Sequence, residues 1–287
     1  MITLVIPALN ESEAIATTVT RATRVLQEAG LTPSEIVVID DGSIDGTGNL
    51  ARKAGARVIT HPHNIGYGRS LKDGIQAARY DIVAISDADG TYPLEDIPRM
   101  VEAYGKGFDM VVGARSGEHY RESPLKTPLR AILRRIVEFT TTRKVPDINS
   151  GLRVFSRGTI MRYFPHLCDT FSFTTSMTLA YMMTGQFVLY IPITYHKRVG
   201  ETKVHLFKDS LLTLQYIIEM ATYYNPLRIF MLASMMSGAL AFISIIFGVV
   251  LQVQSLFWLG VGSLLMAVLI LALGLLAVLL KQIMDRT

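Results

Sequence analysis

An uncharged stretch of 52 residues, 229–280, constrains the fold of this chain more than any other feature. It contains no Asp, Glu, Lys, Arg or His, and the polar residues 252–255 divide it into two apolar runs, 229–251 and 256–280. Each run exceeds the roughly 20 residues that cross a bilayer as a helix. Neither run has the polar face expected of a helix in a soluble protein. The sequence therefore predicts a transmembrane hairpin.

Positive charges flank the predicted hairpin at its outer ends. Arg228 precedes it, Lys281 and Arg286 follow it, and the turn between the two runs is uncharged. Because loops rich in Lys and Arg stay in the cytoplasm, we expect both termini there and an integral protein of the cell (inner) membrane. Three parts are predicted: a cytoplasmic domain 1–205, an interfacial amphipathic helix 206–226, and the hairpin with a short cytoplasmic tail, 227–287.

The charge of the remaining sequence indicates the kind of partner. The net charge is +4 and the pI is near 9.1. This balance suits anionic lipid or phosphorylated substrates and is too weak to indicate nucleic acid. A single cysteine, Cys168, excludes a disulfide scaffold.

Strand-like runs rich in Val and Ile alternate with helical stretches over the first 112 residues. This order predicts an α/β fold with a mostly parallel, doubly wound sheet, in which chemistry takes place at the carboxyl ends of the strands. The predicted strands are 3–6, 36–40, 57–60, 82–86 and 110–112, and the predicted helices are 12–29, 46–54, 68–78 and 94–104.

Acidic residues follow two of these strands. Asp40 and Asp41 stand at the end of the second strand, and Asp87 and Asp89 follow the fourth. Asp-Gly sequences also form turns, so a structural role for the first pair is as well supported as a binding role. Two carboxylates one residue apart after a buried strand can hold Mg²⁺ or Mn²⁺ and leave positions for phosphate oxygens. We therefore predict that Asp87 and Asp89 bind a metal that stabilises a diphosphate leaving group, in preference to a merely structural role.

Two other kinds of site are not predicted. No G-x-G-x-x-G sequence follows the first strand, which disfavours a nicotinamide dehydrogenase. His61 and His63 lack a further ligand in sequence, and we expect them to be exposed surface residues rather than a metal site.

Four motifs together resemble the family 2 glycosyltransferases of GT-A fold: PALNE at 7–11, DDGSIDGT at 40–47, NIGYGRSLKDGI at 64–75 and DADGTYP at 87–93. One catalytic domain followed by an amphipathic segment and two membrane helices is similar to the polyprenyl-phosphate glycosyltransferases. That group includes dolichyl-phosphate mannose synthase and the undecaprenyl-phosphate glucosyltransferases. The resemblance covers nearly the whole chain.

The resemblance implies a site for the sugar nucleotide. Asp87 would contact the ribose or the donor sugar, and Asp89 would bind the metal through the diphosphate. Some relatives carry a further ligand, Gln, where this chain has Thr91, which leaves the inner shell of the metal open. Pro7 could instead only end the first strand, and Glu11 could serve the start of the helix. The residues implied to line the base and ribose pocket are Pro7, Asn10, Glu11, Asp40 and Asp41.

The resemblance also implies residues further along the chain. The sequence GAR places Arg115 after the fifth strand, in the sugar-nucleotide site. The sequence DINSGLRVF at 147–155 resembles the acceptor-side element of the family and contributes Asp147 and Ser150. The sequence HKRVGETKV at 196–204 resembles its mobile basic loop, so that Arg198 and Lys203 would clamp the diphosphate; the alternative is a solvated loop.

Asp147 has two possible catalytic roles, a general base or an acceptor-orienting group. A lipid monophosphate has a second pKa of about 6 and is largely ionised at neutral pH. Little proton abstraction is needed, which favours orientation. An Asx turn over Asn149 and Ser150 is the structural alternative.

Two amphipathic stretches point to a lipid acceptor. The stretch 124–143 carries Lys126, Arg130 and Arg134 beside an apolar stripe, and such a helix suits anionic headgroups and the acceptor phosphate. For any single residue of this stretch, a helix packed on the sheet with its arginines in solvent explains the pattern equally well. The stretch 206–224 ends in two tyrosines and is expected at the membrane interface.

The expected reaction is an inverting displacement. Polyprenyl phosphate would attack the anomeric carbon of a nucleotide-activated hexose, with a UDP-sugar favoured and GDP-mannose the alternative. A processive polysaccharide synthase would carry Gln-x-x-Arg-Trp, yet the only tryptophan is Trp258 in the hairpin. A non-catalytic sugar-nucleotide sensor is the rival from another class. The resemblance further implies a homo-oligomer, with a tetramer plausible.

Overall fold

The computed structural model describes residues 1–117, 135–139, 141–196 and 206–284. The chain divides into two compact units, 1–217 and 218–287.

A seven-stranded sheet organises the first unit. The strand order is β3-β2-β1-β4-β6-β5-β7, and only β6 runs antiparallel to its neighbours. The carboxyl ends of the other six strands therefore share one edge of the sheet, and β6 begins at that edge. The strands are β1 Ile2–Ala8, β2 Ser34–Asp40, β3 Arg57–Thr60, β4 Ile82–Ile85, β5 Met110–Ser116, β6 Arg153–Ser156 and β7 Val188–Thr194.

Helices cover the sheet because alternate strand residues point to opposite faces. On one face, Leu4 and Ile6 of β1 join the core that Val19 of the first helix and Met100 of the fourth complete. The helices of this unit are α1 Ile15–Glu28, α2 Thr47–Lys53, α3 Tyr67–Ala77, α4 Ile97–Tyr104, α5 Arg157–Met161 and α6 Phe173–Met183. A further helix, α7 Leu206–Tyr224, starts in this unit and ends in the second.

The structure confirms the predicted doubly wound sheet. Strands β1 to β5 lie where the Val- and Ile-rich runs predicted them. Strands β6 and β7 were not predicted. Of the predicted amphipathic helix 124–143, residues 135–139 are helical, and residues 118–134 lie outside the described part of the chain.

Two long apolar helices, α8 Pro226–Val250 and α9 Gln254–Met284, form the second unit. Their mean hydropathies are 2.2 and 3.0, and both are long and apolar enough to cross a membrane. The Ser234 hydroxyl donates to the Ala267 carbonyl at 2.8 Å and links the two helices. Lys281 Nζ donates to the Tyr224 carbonyl at 2.6 Å, which places a cation at the C-terminal end of α7. The predicted hairpin runs coincide with these helices.

Candidate active site

Asp89 is held at the carboxyl end of β4 by the residue two positions later. The side chain is 1% exposed. Its Oδ1 accepts hydrogen bonds from the Thr91 backbone N–H at 3.1 Å and from the Thr91 hydroxyl at 2.6 Å. Thr91 therefore fixes the orientation of the Asp89 carboxylate.

Asp87 is held by residues from two other parts of the chain. The Tyr67 hydroxyl, from the first residue of α3, donates to Asp87 Oδ1 at 2.9 Å. A Cβ added to Gly151 would lie 3.0 Å from the same oxygen, so the loop before β6 packs against the carboxylate. Burial, and then the charge of Asp87, raise the pKa of Tyr67 well above its usual value, so the phenol is the donor at neutral pH.

The loops after β1 and β2 are hydrogen-bonded to each other. Asn10, at a left-handed φ of 49°, donates its N–H to the Ser43 hydroxyl and accepts from the Ile44 N–H. The Glu11 N–H donates to the Thr47 hydroxyl at 2.8 Å. These bonds set the shape of the loop pair in which the sequence predicts the nucleoside pocket.

Asp45 adds a carboxylate to this loop pair. Its oxygens accept from the Thr47 N–H and hydroxyl and from the Ser12 N–H. Burial raises the pKa of Asp45, but the hydrogen bonds from Thr47 and Ser12 outweigh it and lower the pKa to about 2. Pro7 is buried within β1, opposite Ile39 of β2, and does not end the strand, which continues to Ala8.

Asp40 and Asp41 are both buried, with partners in the protein. Asp40 Oδ1 accepts from the Ser43 N–H at 3.1 Å. Asp41 accepts from the Ile65 and Gly66 N–H groups at 3.0 Å, and its Oδ1 lies 2.8 Å from Nδ1 of His61. These contacts establish structural roles for both carboxylates, and their contact with a nucleoside stays a prediction.

The expectation that His61 is an exposed surface residue was wrong. Its side chain is 10% exposed, and Nε2 lies 3.3 Å from Asp73 on α3 while Nδ1 contacts Asp41. Carboxylates from two elements bracket the imidazole, and neither is adjacent to it in sequence. His63 is exposed, as expected.

Arg115 and Asp147 form a bidentate ion pair. The Arg115 Nε and Nη2 atoms donate to the two carboxylate oxygens at 2.7 and 2.9 Å, and the Arg115 backbone N–H donates at 3.1 Å. Burial raises the pKa of Asp147, but the hydrogen bonds and charge of Arg115 outweigh it and hold the pKa below its usual value. The Asn149 N–H donates to Asp147 Oδ1 at 3.2 Å, which is the predicted Asx turn. Asp147 is therefore ionised and committed to Arg115, which disfavours a general base.

A buried arginine that sequence reasoning missed supports this loop. Arg153 is completely buried and donates to the carbonyls of Ile148 and Ser150 and to the Thr178 hydroxyl, each at 2.8 Å. The Ser150 hydroxyl in turn donates to the Gly113 carbonyl of β5. The contact of Ser150 with an acceptor phosphate stays a prediction.

Two aromatic side chains, Tyr92 and Tyr195, connect the part of the site at the end of β4 with the part that contains the Arg115–Asp147 pair. The Tyr195 ring lies 5.3 Å from the Tyr92 ring, edge to face, and the Arg115 guanidinium lies 5.5 Å from its centroid. The Tyr92 hydroxyl accepts from the Gly151 N–H at 2.6 Å. The sheet edge thus brings the Asp87–Asp89 strand end and the Arg115–Asp147 pair together. Five predicted residues, Lys126, Arg130, Arg134, Arg198 and Lys203, lie outside the described part of the chain.

The acidic residues at this edge suit a divalent cation that arrives with phosphate. Within the described residues, no group of three or more His, Cys, Asp or Glu side chains could hold a metal ion. Asp87 and Asp89 supply two hard carboxylates, and Mg²⁺ is commonly bound by one or two carboxylates together with substrate phosphates and water. The donor set fits that mode of binding.

Comparisons with known proteins agree with this geometry. The sequence profile described as "Glycosyl transferase family 2" matches residues 3–164. The chain is 28% identical over 205 residues to a dolichyl-phosphate hexose transferase of Haloferax volcanii, covering 71% of this chain and 86% of the relative. It is 27% identical over 234 residues to an undecaprenyl-phosphate 4-deoxy-4-formamido-L-arabinose transferase of Edwardsiella ictaluri, covering 79% and 69%.

A solved structure shares the fold. Glucosyl-3-phosphoglycerate synthase from Mycobacterium tuberculosis, in complex with Mn²⁺, UDP and glucosyl-3-phosphoglycerate, superposes with a TM-score of 0.62. The match covers 77% of this chain and 80% of that one at 22% identity. The predicted GT-A fold is therefore confirmed.

Proposed function

The chain belongs to glycosyl transferase family 2 and is a glycosyltransferase, and we propose that it transfers a hexose from a nucleotide sugar to polyprenyl phosphate. The acceptor would be undecaprenyl or dolichyl phosphate at the cytoplasmic face of the membrane. The observation that carries the proposal is a polar sheet edge with paired carboxylates in the same chain as two apolar helices long enough to span a bilayer. A soluble sugar acceptor would not need that hairpin. The names of the relatives from Haloferax volcanii and Edwardsiella ictaluri support the acceptor class.

Asp87 and Asp89 would hold the divalent cation, Mg²⁺ or Mn²⁺. When bound, the cation stabilises negative charge on the departing diphosphate. Thr91 keeps the Asp89 carboxylate in one orientation. Arg198 and Lys203 would add positive charge from the basic loop.

The Arg115–Asp147 pair would orient the reactants without removing a proton. The carboxylate is held ionised by Arg115, and the attacking phosphate is already largely ionised at neutral pH because its second pKa is about 6. The phosphate oxygen can therefore attack the anomeric carbon directly, the C–O bond to the nucleoside diphosphate breaks, and configuration inverts. Catalysis then depends on proximity and electrostatic stabilisation.

The remaining predicted residues form two groups, according to the ligand that each group would contact. Pro7 in β1 and the loop residues Asn10 and Glu11 would line the nucleoside pocket together with Asp40 and Asp41, which also maintain the shape of the loop pair. Lys126, Arg130, Arg134 and Ser150 would face the acceptor phosphate. The assignment of 1–205 as catalytic domain, 206–226 as interfacial helix and 227–287 as a hairpin in the inner membrane belongs to the same proposal, as does a homo-oligomer.

Transfer from labelled donors to polyprenyl phosphate tests the proposal. Detergent-purified protein is incubated with a panel of UDP- and GDP-sugars, with Mg²⁺ or Mn²⁺, and with EDTA as the metal-free control. Metal-dependent label in the lipid fraction is expected from one donor, a UDP-hexose first and GDP-mannose second. Absence of lipid-linked label from every donor, with nucleotide binding intact, would overturn the acceptor assignment and favour a sensor.

A further inference from the structure

Tyr67 stands at the start of α3 and reaches the carboxylate of Asp87, 20 positions later in sequence. Its hydroxyl donates to Asp87 Oδ1 at 2.9 Å. The backbone of Gly151 closes the other side, since a Cβ at that position would lie 3.0 and 3.2 Å from the two carboxylate oxygens. The carboxylate is therefore confined between a phenol and a backbone loop.

The ring of Tyr67 is itself fixed by a second aromatic residue. It stacks on Phe171 with 5.6 Å between centroids and 17° between ring planes. Phe171 is 46% exposed, so half of its surface stays in contact with solvent although it is a large apolar side chain. The stack therefore stabilises the Tyr67 ring from the side of the molecule that water can reach.

The segment that carries Phe171 is attached to the same helix as Tyr67. Lys72 of α3 forms an ion pair with Asp169 at 2.6 Å, and the Arg69 N–H donates to the Asp169 carbonyl at 3.1 Å. The two rings are thus held by elements that are bonded to each other.

We propose that Tyr67 is a positioning residue for the bound nucleotide diphosphate and its divalent cation, acting through Asp87, and that Phe171 keeps the Tyr67 ring in place. A carboxylate can rotate about two side-chain torsions, and a hydrogen bond to one oxygen sets the plane of the group and the direction of the other oxygen. Restricting this rotation before the ligand arrives lowers the entropy lost on binding. The inference rests on the proposed function, because it takes Asp87 as a ligand of the donor complex.

Three variants of the full-length, detergent-purified chain separate the hydroxyl, the stack and an unrelated tyrosine. Tyr67→Phe removes the hydrogen bond and keeps the stack, whereas Phe171→Leu removes the stack and keeps the hydroxyl. Tyr163→Phe is the matched control, because its hydroxyl is 2.8 Å from that of Thr184 and does not contact the site. Dissociation constants for Mn²⁺ are measured by electron paramagnetic resonance with saturating UDP and, separately, GDP. Unfolding temperatures and the KM and kcat for donor are measured on the same samples.

Tyr67→Phe should weaken Mn²⁺ binding in the presence of nucleotide about tenfold, the factor that corresponds to roughly 1.4 kcal/mol, with KM raised more than kcat is lowered. Phe171→Leu should weaken it about threefold, since hydrogen bonding persists in part of the ensemble. Tyr163→Phe should bind as the wild type does. If Tyr67→Phe unfolds at a lower temperature than the wild type, the comparison of Mn²⁺ binding by Phe171→Leu and by Tyr163→Phe decides whether the position of the Tyr67 ring matters.

Binding by Tyr67→Phe equal to that of Tyr163→Phe, at equal unfolding temperatures, would overturn the inference. Wild-type-like binding by Phe171→Leu would overturn the role of the stack. A wild-type protein that binds Mn²⁺ with neither nucleotide and transfers no sugar would refute the proposed function itself, which is a distinct outcome.

Discussion

Breaking the Arg115–Asp147 ion pair should destabilise the first unit by several kcal/mol. The side chains are 17% and 4% exposed, and three hydrogen bonds join them. Removing one partner of a buried pair costs about 3–5 kcal/mol, because the other charge is left uncompensated. Asp147→Asn leaves the partly exposed Arg115 cation uncompensated, so its expected cost is near the lower limit, about 3 kcal/mol. Arg115→Met leaves the more deeply buried carboxylate uncompensated and should cost about 4 kcal/mol.

A double-mutant cycle isolates the pair itself. The double variant should be destabilised by about 4 kcal/mol, which leaves a coupling energy of about 3 kcal/mol. Unfolding by urea in detergent is followed by near-UV circular dichroism of tyrosine, because ten of the 12 tyrosines lie in residues 1–217. A coupling energy below about 0.5 kcal/mol would equal that of a surface salt bridge and refute the reasoning.

The pH dependence of this cycle has a defined sign. Because the pKa of Asp147 is lowered in the folded state, the pair stabilises the protein above the ordinary carboxyl pKa of 3.8. That contribution is lost as the pH falls through the lowered pKa, so the stability difference between wild type and Asp147→Asn should narrow in that window.

In transfer assays, Arg115→Met should lose as much activity as Asp147→Asn, and the double variant no more than either, if the carboxylate acts by orienting Arg115. A surviving activity in Arg115→Met alone would favour a general base.

Three further changes test separate parts of the site. Gly48→Ala would put a Cβ 2.3 Å from Asp40 Oδ2 and should cost about 1–3 kcal/mol as overpacking, measured by thermal unfolding; unchanged stability would contradict the close contact. Thr91→Val should raise the Mn²⁺ concentration for half-maximal transfer severalfold, because the hydroxyl no longer orients Asp89, and Thr91→Ser should restore it; a wild-type requirement in the valine variant would refute that role. Asp45 has a pKa of about 2, so it stabilises its loop above pH 3.8 and loses this effect as the pH falls toward 2. Amide hydrogen exchange of residues 10–12, corrected for intrinsic rates, should therefore accelerate in that window. Asp45→Asn should show fast exchange already at neutral pH.

Periodicity predicted those parts of the fold in which apolar residues dominate a strand. Strands β1 to β5 are short Val- and Ile-rich runs bounded by turns, and this local pattern is sufficient to predict them. Strand β6 contains Arg153, whose burial depends on carbonyl groups of its own loop and on Thr178. Strand β7 contains Pro192, which normally argues against a strand interior and is tolerated here because β7 is an edge strand.

The candidate site was predicted where sequence neighbours form it and missed where distant residues meet. Asp87 and Asp89 share one strand end, so their proximity follows from the sequence. The contact of Tyr67 with Asp87 depends on how α3 packs against β1 and β2, and no local pattern records it. The error on His61 has the same origin, because one of its two carboxylate partners follows β2 and the other lies in the middle of α3.

The single antiparallel strand has a consequence for how specificity can change during evolution. Strands β1 to β4 pair in parallel with one another, and β6 is inserted between β4 and β5 with reversed direction. The chain therefore enters β6 from the edge that carries Asp87 and Asp89, so Asp147 and Ser150 belong to an incoming loop rather than to a strand end. Under the proposed function, this loop would carry the acceptor contacts and could vary together with β5 to β7, whereas β1 to β4 would keep the nucleotide contacts and their register. Related chains would then share the nucleotide half of the sheet and differ in acceptor through its second half.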